Sequence, residues 1–494
     1  MSSLMWFFNL VLLLLISNTA YSNSQPTKAE TPYPPASSWP DRIIATATQN
    51  PSNSISLTWR TNQDVKTAYG QLVKANSNAR YDINVSTIEA STSIVSLKQG
   101  KNNFGVFNYP ANVELSGVNY HSITFTGLTP NTLYNYRVSG AKDKWSSWQQ
   151  IKTSPKQNNH DIEFLYFGDA QNGIHSHWPM VLRRAWKHAT NAEFAIYAGD
   201  LVNEGANDKQ WSNWLNAGRF IHGMLPAVLV AGNHEYDWQV KSNTKKKWAL
   251  STLWQDQFTL PLTPELPKEL QETVYVSQYP DLDIFVLNSE AQGSIALLQA
   301  QAKWLDNKLQ NSAAQWRIVT MHHPIFSSCG MPLNTLGQDE PEIRAAFLPV
   351  FLKHNVDLVL QGHDHTYARG SISIEKSISK LSNTSAPKKV RSVFITSVAG
   401  PKTYPQKPTR WKEYTNYGVT LERIGENTPT YQIIKKVNNK LIYQSFTTDG
   451  KLYDGFTLEK AINGQKTLLE INNLPEQRTF NNTGPYRNHY DLAE

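Results

Sequence analysis

The chain has 494 residues, and Lys plus Arg (47) exceeds Asp plus Glu (40) by a formal net charge of +7. Only 18% of residues are charged and 11% are aromatic, which excludes a disordered chain, and the length predicts two or three domains. No extended Lys/Arg block is present, so the positive balance does not mark a nucleic-acid-binding protein.

Taken from the N-terminus, Trp6–Ile16 is an apolar run broken only by Asn9, followed by the small-residue pattern Ala20-Tyr21-Ser22. The run is too short to span a bilayer, and residues 1–22 read as a cleaved secretory signal, although its first five residues lack Lys and Arg. No Cys follows the run to carry a lipid anchor. The one cysteine, Cys329, permits no intramolecular disulfide. A secreted or periplasmic protein of bacterial type is expected, with no membrane span after signal cleavage. Residues 23–38 are polar and Pro-rich, as in a linker.

Over residues 39–155 the pattern has period two: Ile55–Trp59, Ala68–Val73, Tyr120–Phe125 and Tyr134–Val138, with turn clusters between them. This predicts an antiparallel β-sandwich. The stretch Gly127-Leu128-Thr129-Pro130-Asn131-Thr132-Leu133-Tyr134-Asn135-Tyr136 resembles the tyrosine corner of fibronectin type III-like modules. The region holds one histidine, His121, and no cluster with metal-ligand spacing. It is expected to support the rest of the chain and to contribute no catalytic group, and its deletion to lower solubility where the two parts pack together.

Residues 156–460 read as a second domain. Five apolar runs (162–167, 194–198, 227–231, 317–321 and 356–360) alternate with helical spacing at 178–188, 296–309 and 342–354, the pattern of βαβ units. Strand runs return at 393–397, 441–446 and 456–458, the last two joined by an Asp449-Gly450 hairpin turn. Residues 461–494 are polar and expected to be irregular.

Each of the five runs ends in residues able to bind a metal: Gly168-Asp169-Ala170-Gln171, Gly199-Asp200-Leu201-Val202-Asn203, Gly232-Asn233-His234-Glu235, His322-His323 and Gly362-His363-Asp364-His365. The carboxyl ends of such strands share one edge, where ligands bind, so residues nearly 200 positions apart are expected to converge. One such ending is weak evidence; five in succession are not.

This set resembles the calcineurin-like metallophosphoesterases, and within them the purple acid phosphatase branch. Gly232-Asn233-His234-Glu235, Val319-Thr320-Met321-His322 and Gly362-His363-Asp364-His365 match its last three motifs. The resemblance implies an α/β (α+β) metallophosphoesterase β-sandwich flanked by helices, preceded by the all-β fibronectin type III-like domain. It also implies two metal ions, with Asp169, Asp200 and His365 holding one and Asp200, Asn233, His322 and His363 the other, Asp200 being the bridge. His234 and His323 would contact phosphoryl oxygens or protonate the leaving group.

Two positions depart from the branch. Asn203 stands where a tyrosine is expected, and Gln171 where the branch has glycine. Both are candidates for substrate binding or for an amide oxygen at the first ion. Without the tyrosine, no phenolate-to-iron colour is expected, and iron, zinc or manganese remain open. The implied activity is hydrolysis of phosphomonoesters by metal-activated hydroxide, on a small phosphorylated substrate. A phosphodiesterase or nucleotidase with the same site, and a non-catalytic surface-binding protein, are the alternatives; oligomeric state is not legible.

Overall fold

Alternating apolar residues on Ile55–Asn62 and Leu115–Phe125 put Leu57, Trp59, Ile123 and Phe125 on one buried face, which drives these segments together as an antiparallel pair. The structure is a computed structural model that describes residues 35–78, 80–97, 115–158, 160–242, 245–329, 340–374, 387–406 and 414–479. The expected signal at 1–22, the linker up to residue 34 and the end of the polar tail from residue 480 lie outside the described residues.

The N-terminal sandwich packs one layer (Asp41–Thr46, Ile55–Asn62, Ser91–Leu97, Leu115–Phe125) against a four-stranded layer (Ser86–Glu89, Tyr69–Lys74, Leu133–Val138, Gln149–Lys152). Trp59 fills the gap between them, its Nε1 donating to the Ser139 carbonyl at 2.8 Å. The Tyr134 hydroxyl accepts from the Thr129 N–H at 2.9 Å, closing the corner that the sequence suggests.

The sandwich is not a detachable appendage. Asp41–Thr46 runs parallel to Ala227–Leu229 and extends the neighbouring sheet, with the Ala47 N–H donating to the Ala227 carbonyl at 2.9 Å. The Arg42 guanidinium pairs with Asp208, and the Tyr136 hydroxyl donates to the Gly223 carbonyl at 2.6 Å. A chain starting near Asn158 would leave an open sheet edge and an unpaired buried carboxylate, both destabilising.

In the second half, the βαβ pattern resolves into two separate runs of parallel strands, joined into one hydrogen-bonded sheet by antiparallel hairpins rather than continuous with each other. Ile162–Phe167, Phe194–Tyr197 and Ala227–Leu229 form one. Leu282–Val286, Trp316–Thr320, Leu358–Gln361 and Lys388–Thr396 form the other. The strand Thr430–Val437 pairs antiparallel with Ile162–Phe167 and begins the hairpins that close the structure. Helices Trp178–His188, Ile295–Asn311 and Pro341–Lys353 fall where the spacing predicts them. Asp208–Ala217 is an additional helix, capped by Asn207, whose side chain accepts from the Lys209 N–H at 3.1 Å.

The polar tail contains a strand the sequence does not announce. Lys466–Glu470 pairs with both Leu452–Lys460 and Lys388–Thr396. Its one lysine looks solvent-facing, yet Lys466 is buried, with Nζ 2.9 Å from Asp357 and 2.7 Å from the Asn355 carbonyl.

One buried group gives this fold a pH dependence. His222 is fully buried against Trp214, ring centroids 4.6 Å apart, and neither ring nitrogen has a hydrogen-bond partner. Burial pushes its pKa down to about 3. Below the unfolded value of about 6.5 the unfolded chain takes up a proton that the folded chain refuses, so stability falls as pH drops from there toward 3. His222→Phe is expected to flatten this loss: the urea midpoint should change less between pH 7 and pH 5 than in wild type. An equal change in both proteins would contradict it.

Candidate metal centre

Tight turns deliver each ligand. Gly199 has φ +90°, and a Cβ there would sit 2.5 Å from His322 Nδ1 and 2.9 Å from the Gly232 Cα, so only glycine lets these strand ends approach. Asp200 (φ 50°), His363 (φ 70°) and His365 (φ 48°) all occupy the left-handed region that non-glycine residues avoid. Such strain persists where surrounding contacts enforce it, and it concentrates at working sites.

These turns assemble two groups of ligand atoms. In each, the atoms lie within 4.8 Å of one another: Asp169, Asp200 and His365 in one, His322, His323 and His363 in the other. Asp200 faces both, because its Oδ1 also lies 3.3 Å from His322 Nε2. Asn233 Oδ1 sits 3.1 Å from both His322 Nε2 and His363 Nδ1. All six residues read as ligands, Asp169, Asp200, Asn233, His322, His363 and His365, therefore meet at one place. His323, read as a proton donor, lies among the second group.

The imidazoles are held by their far nitrogens. His322 Nδ1 is 2.9 Å from the Ala198 carbonyl, His365 Nδ1 is 2.8 Å from the Lys402 carbonyl, and His234 Nδ1 is 2.6 Å from the Asn203 carbonyl. A carbonyl partner fixes the proton on Nδ1 and leaves Nε2 free to bind a cation. His365 Nε2 is 3.2 Å from Asp169 Oδ2, and His234 Nε2 is 3.8 Å from Asp200 Oδ2. His323 Nδ1 meets Ser289 Oγ at 2.9 Å, and its Nε2 is 3.8 Å from Glu290 Oε2.

The electrostatics favour cations here. Asp169 and Asp200 are buried. Against the cost of burial, the Asp200 charge raises His322 to about 10. Asp169 Oδ2 has no hydrogen-bond donor, and a buried carboxylate oxygen without one calls for a positive partner. Carboxylate, amide and imidazole donors around a shared aspartate fit a pair of ions.

The two departing residues occupy different positions. Gln171 is fully buried inside the first group, its Nε2 donating to Asp200 Oδ2 at 2.7 Å and lying 3.0 Å from His365 Nε2. It touches ligand atoms and not a solvent-facing wall. Asn203 contributes its carbonyl to His234.

Two supporting residues carry roles that their motifs do not reveal. The Glu235 carboxylate accepts N–H bonds from Asp200, Gly232 and Leu201, each at 2.8 Å, and from Val202 at 3.4 Å. It holds the bridging aspartate's turn by its backbone. Asp364, between two histidines, accepts from Ser327 Oγ at 2.9 Å and the Ser328 N–H at 2.9 Å, tying the 327–329 loop to the site.

Comparison with known proteins agrees with this geometry. Residues 40–153 match the purple acid phosphatase N-terminal domain, and residues 162–367 match the calcineurin-like phosphoesterase family. The chain thus carries a calcineurin-like phosphoesterase domain behind a purple acid phosphatase N-terminal domain, and in this pairing it resembles the purple acid phosphatases.

Purple acid phosphatase 1 of Ipomoea batatas is 25% identical over 267 residues, covering 50% of this chain and 51% of that one. The Fe(3+)-Zn(2+) purple acid phosphatase 12 of Arabidopsis thaliana is 23% identical over 300 residues, 54% of each chain. The chain thus spans about half the length of these curated relatives. Among solved structures, purple acid phosphatase PPD1 from yellow lupin (Lupinus luteus) seeds shares the fold, with TM-score 0.65 and 16% identity, covering 86% of this chain and 75% of that one.

Proposed function

We propose that this protein is an exported phosphohydrolase with a two-ion centre that cleaves phosphomonoesters. The observation that carries the reading is Asp200, whose carboxylate belongs to one ligand group while Oδ1 lies 3.3 Å from a histidine of the other. Two ions held by these residues would supply Lewis acidity and an activated water for displacement at phosphorus. Asp169, Asp200 and His365 would hold one ion, and Asp200, Asn233, His322 and His363 the other. His234, fixed through the Asn203 carbonyl, presents Nε2 beside Asp200, where it would donate to a phosphoryl oxygen once the bound anion has brought a proton to that nitrogen. His323, fixed by Ser289, is placed to hand a proton to the leaving group.

Among the described residues no helix is long and apolar enough to cross a membrane. Export rests on the signal pattern of residues 1–22, and fractionation with N-terminal sequencing of the mature protein tests it.

The substrate reading is tested by turnover of an aryl phosphomonoester and of the matching bis-ester by the purified, metal-loaded protein. Faster monoester hydrolysis is expected; faster bis-ester hydrolysis would favour a phosphodiesterase, and neither reaction would overturn the hydrolase reading.

The first ion should also lack a phenolate. Tyr166 is spent on hydrogen bonds with Gln361, its N–H lying 3.0 Å from the Tyr166 hydroxyl oxygen, and Tyr197 packs against Phe167 and Trp214. Iron-loaded wild type is therefore expected to show no strong visible band, and Asn203→Tyr to gain one. A strong band in the wild type would contradict this.

A further inference from the structure

Among the described residues the most deeply withdrawn lysines are ion-paired, and Lys402, which is half-buried, contrasts with them. Lys436 reaches Asp281 at 3.4 Å, and Lys460 and Lys466 share Asp357 at 2.6 and 2.9 Å. Lys402 has no carboxylate in ion-pair contact among the described residues; its ammonium lies 5.3 Å from the centre of the Tyr404 ring.

Its position is fixed by the backbone around it. The Ala399 and Gly400 N–H groups donate to the Asp169 carbonyl at 3.0 and 2.7 Å, and the Tyr404 N–H donates to the His365 carbonyl at 3.1 Å. The Lys402 carbonyl itself receives His365 Nδ1, and the Tyr404 ring packs 4.6 Å from the His365 ring. Segment 399–404 is thus stitched to two proposed ligands. The Lys402 charge acts on Asp169, Asp200 and His234.

Asp169 and Asp200, the carboxylates that act on Lys402, are the proposed ligands of two cations, so the lysine is electrostatically unfavourable beside the filled centre unless a further anion joins them. The established chemistry of the substrate class supplies one. A phosphomonoester dianion has three non-bridging oxygens and two charges, whereas a phosphodiester has two such oxygens and one charge. Clamping across two ions engages two oxygens, which leaves the monoester a charged oxygen to spare and the diester only its ester oxygens, poor acceptors.

We propose that the Lys402 ammonium binds a phosphoryl oxygen of the substrate and thereby selects phosphomonoester dianions over phosphodiesters, an inference that rests on the hydrolase reading above. The test uses the metal-loaded full chain as wild type, Lys402→Met and Lys402→Arg. Inorganic phosphate binding is followed by calorimetry, with kcat/KM for an aryl monoester and its bis-ester alongside. Lys402→Met is expected to weaken phosphate binding about tenfold, the loss of one charge-assisted contact. Its monoester kcat/KM should fall similarly while the bis-ester value stays within about twofold, and Lys402→Arg should recover most of both losses.

Unchanged phosphate affinity and an unchanged monoester-to-diester ratio in Lys402→Met would overturn the proposal. So would loss of metal from that variant, which would assign Lys402 to holding the centre. A wild type that hydrolyses no phosphoester would instead overturn the underlying reading.

Discussion

Asp200→Asn is expected to lower phosphomonoester turnover about a thousandfold or more with the fold intact. A carboxylate shared by two ions keeps both in place, and their charge stabilisation at phosphorus is worth several kcal/mol, each 1.36 kcal/mol being tenfold in rate. Asparagine is the informative replacement because Asp200 sits at φ 50°, a conformation that Asn tolerates and most other side chains do not. The amide keeps one oxygen for the His234 N–H, which now donates to Asp200 Oδ1 at 2.9 Å. The lost negative charge is what the centre cannot replace. Metal content should fall below two ions per chain while circular dichroism stays unchanged. Turnover within a few-fold of wild type would contradict the bridging role.

Glu235→Gln is expected to be the most damaging single change at a residue that is not itself a proposed ligand. Both carboxylate oxygens face backbone N–H donors, Oε2 those of Asp200 and Gly232 and Oε1 those of Leu201 and Val202. Burial and the neighbouring Asp200 charge raise the Glu235 carboxyl, and these donors oppose them. A group surrounded by donors alone requires the ionised form. In the glutamine variant an amide NH2 would face two N–H groups, leaving buried donors unsatisfied at a cost of about 3 kcal/mol. The denaturant midpoint should drop accordingly, and the Asp200 turn should loosen, with metal retained less tightly. A midpoint and metal content equal to wild type would show that Glu235 is protonated and dispensable.

Much of this site was legible from residue type and order alone. The apolar runs at 162–167, 194–198 and 227–231 are strands, and the residues that follow them converge because parallel strands deliver their carboxyl ends to one edge. The split into two parallel groups was not legible, since periodicity reports burial and not which strand is the neighbour. The helix Asp208–Ala217 was hidden because its buried Trp211, Trp214 and Leu215 are interleaved with Gln210, Ser212 and Asn213, which are buried too.

The strand Lys466–Glu470 was hidden by a lysine, Lys466, that finds a buried carboxylate only after the chain has folded. Glu235 and Asp364 belong to motifs whose histidines draw attention, yet their work is backbone hydrogen bonding, which leaves no spacing signature. Lys402 lies in no motif at all. Only the stitching of residues 399–404 to Asp169 and His365 brings it to the centre.

The central claim is that one shared aspartate makes a two-ion phosphohydrolase of this chain. Its most direct test is a metal titration: metal-free protein receives increasing equivalents of zinc, manganese or iron while phosphate release from an aryl phosphomonoester is followed. Turnover is predicted to rise and level off at two ions per chain. Saturation at one ion, or turnover indifferent to metal, would contradict the account.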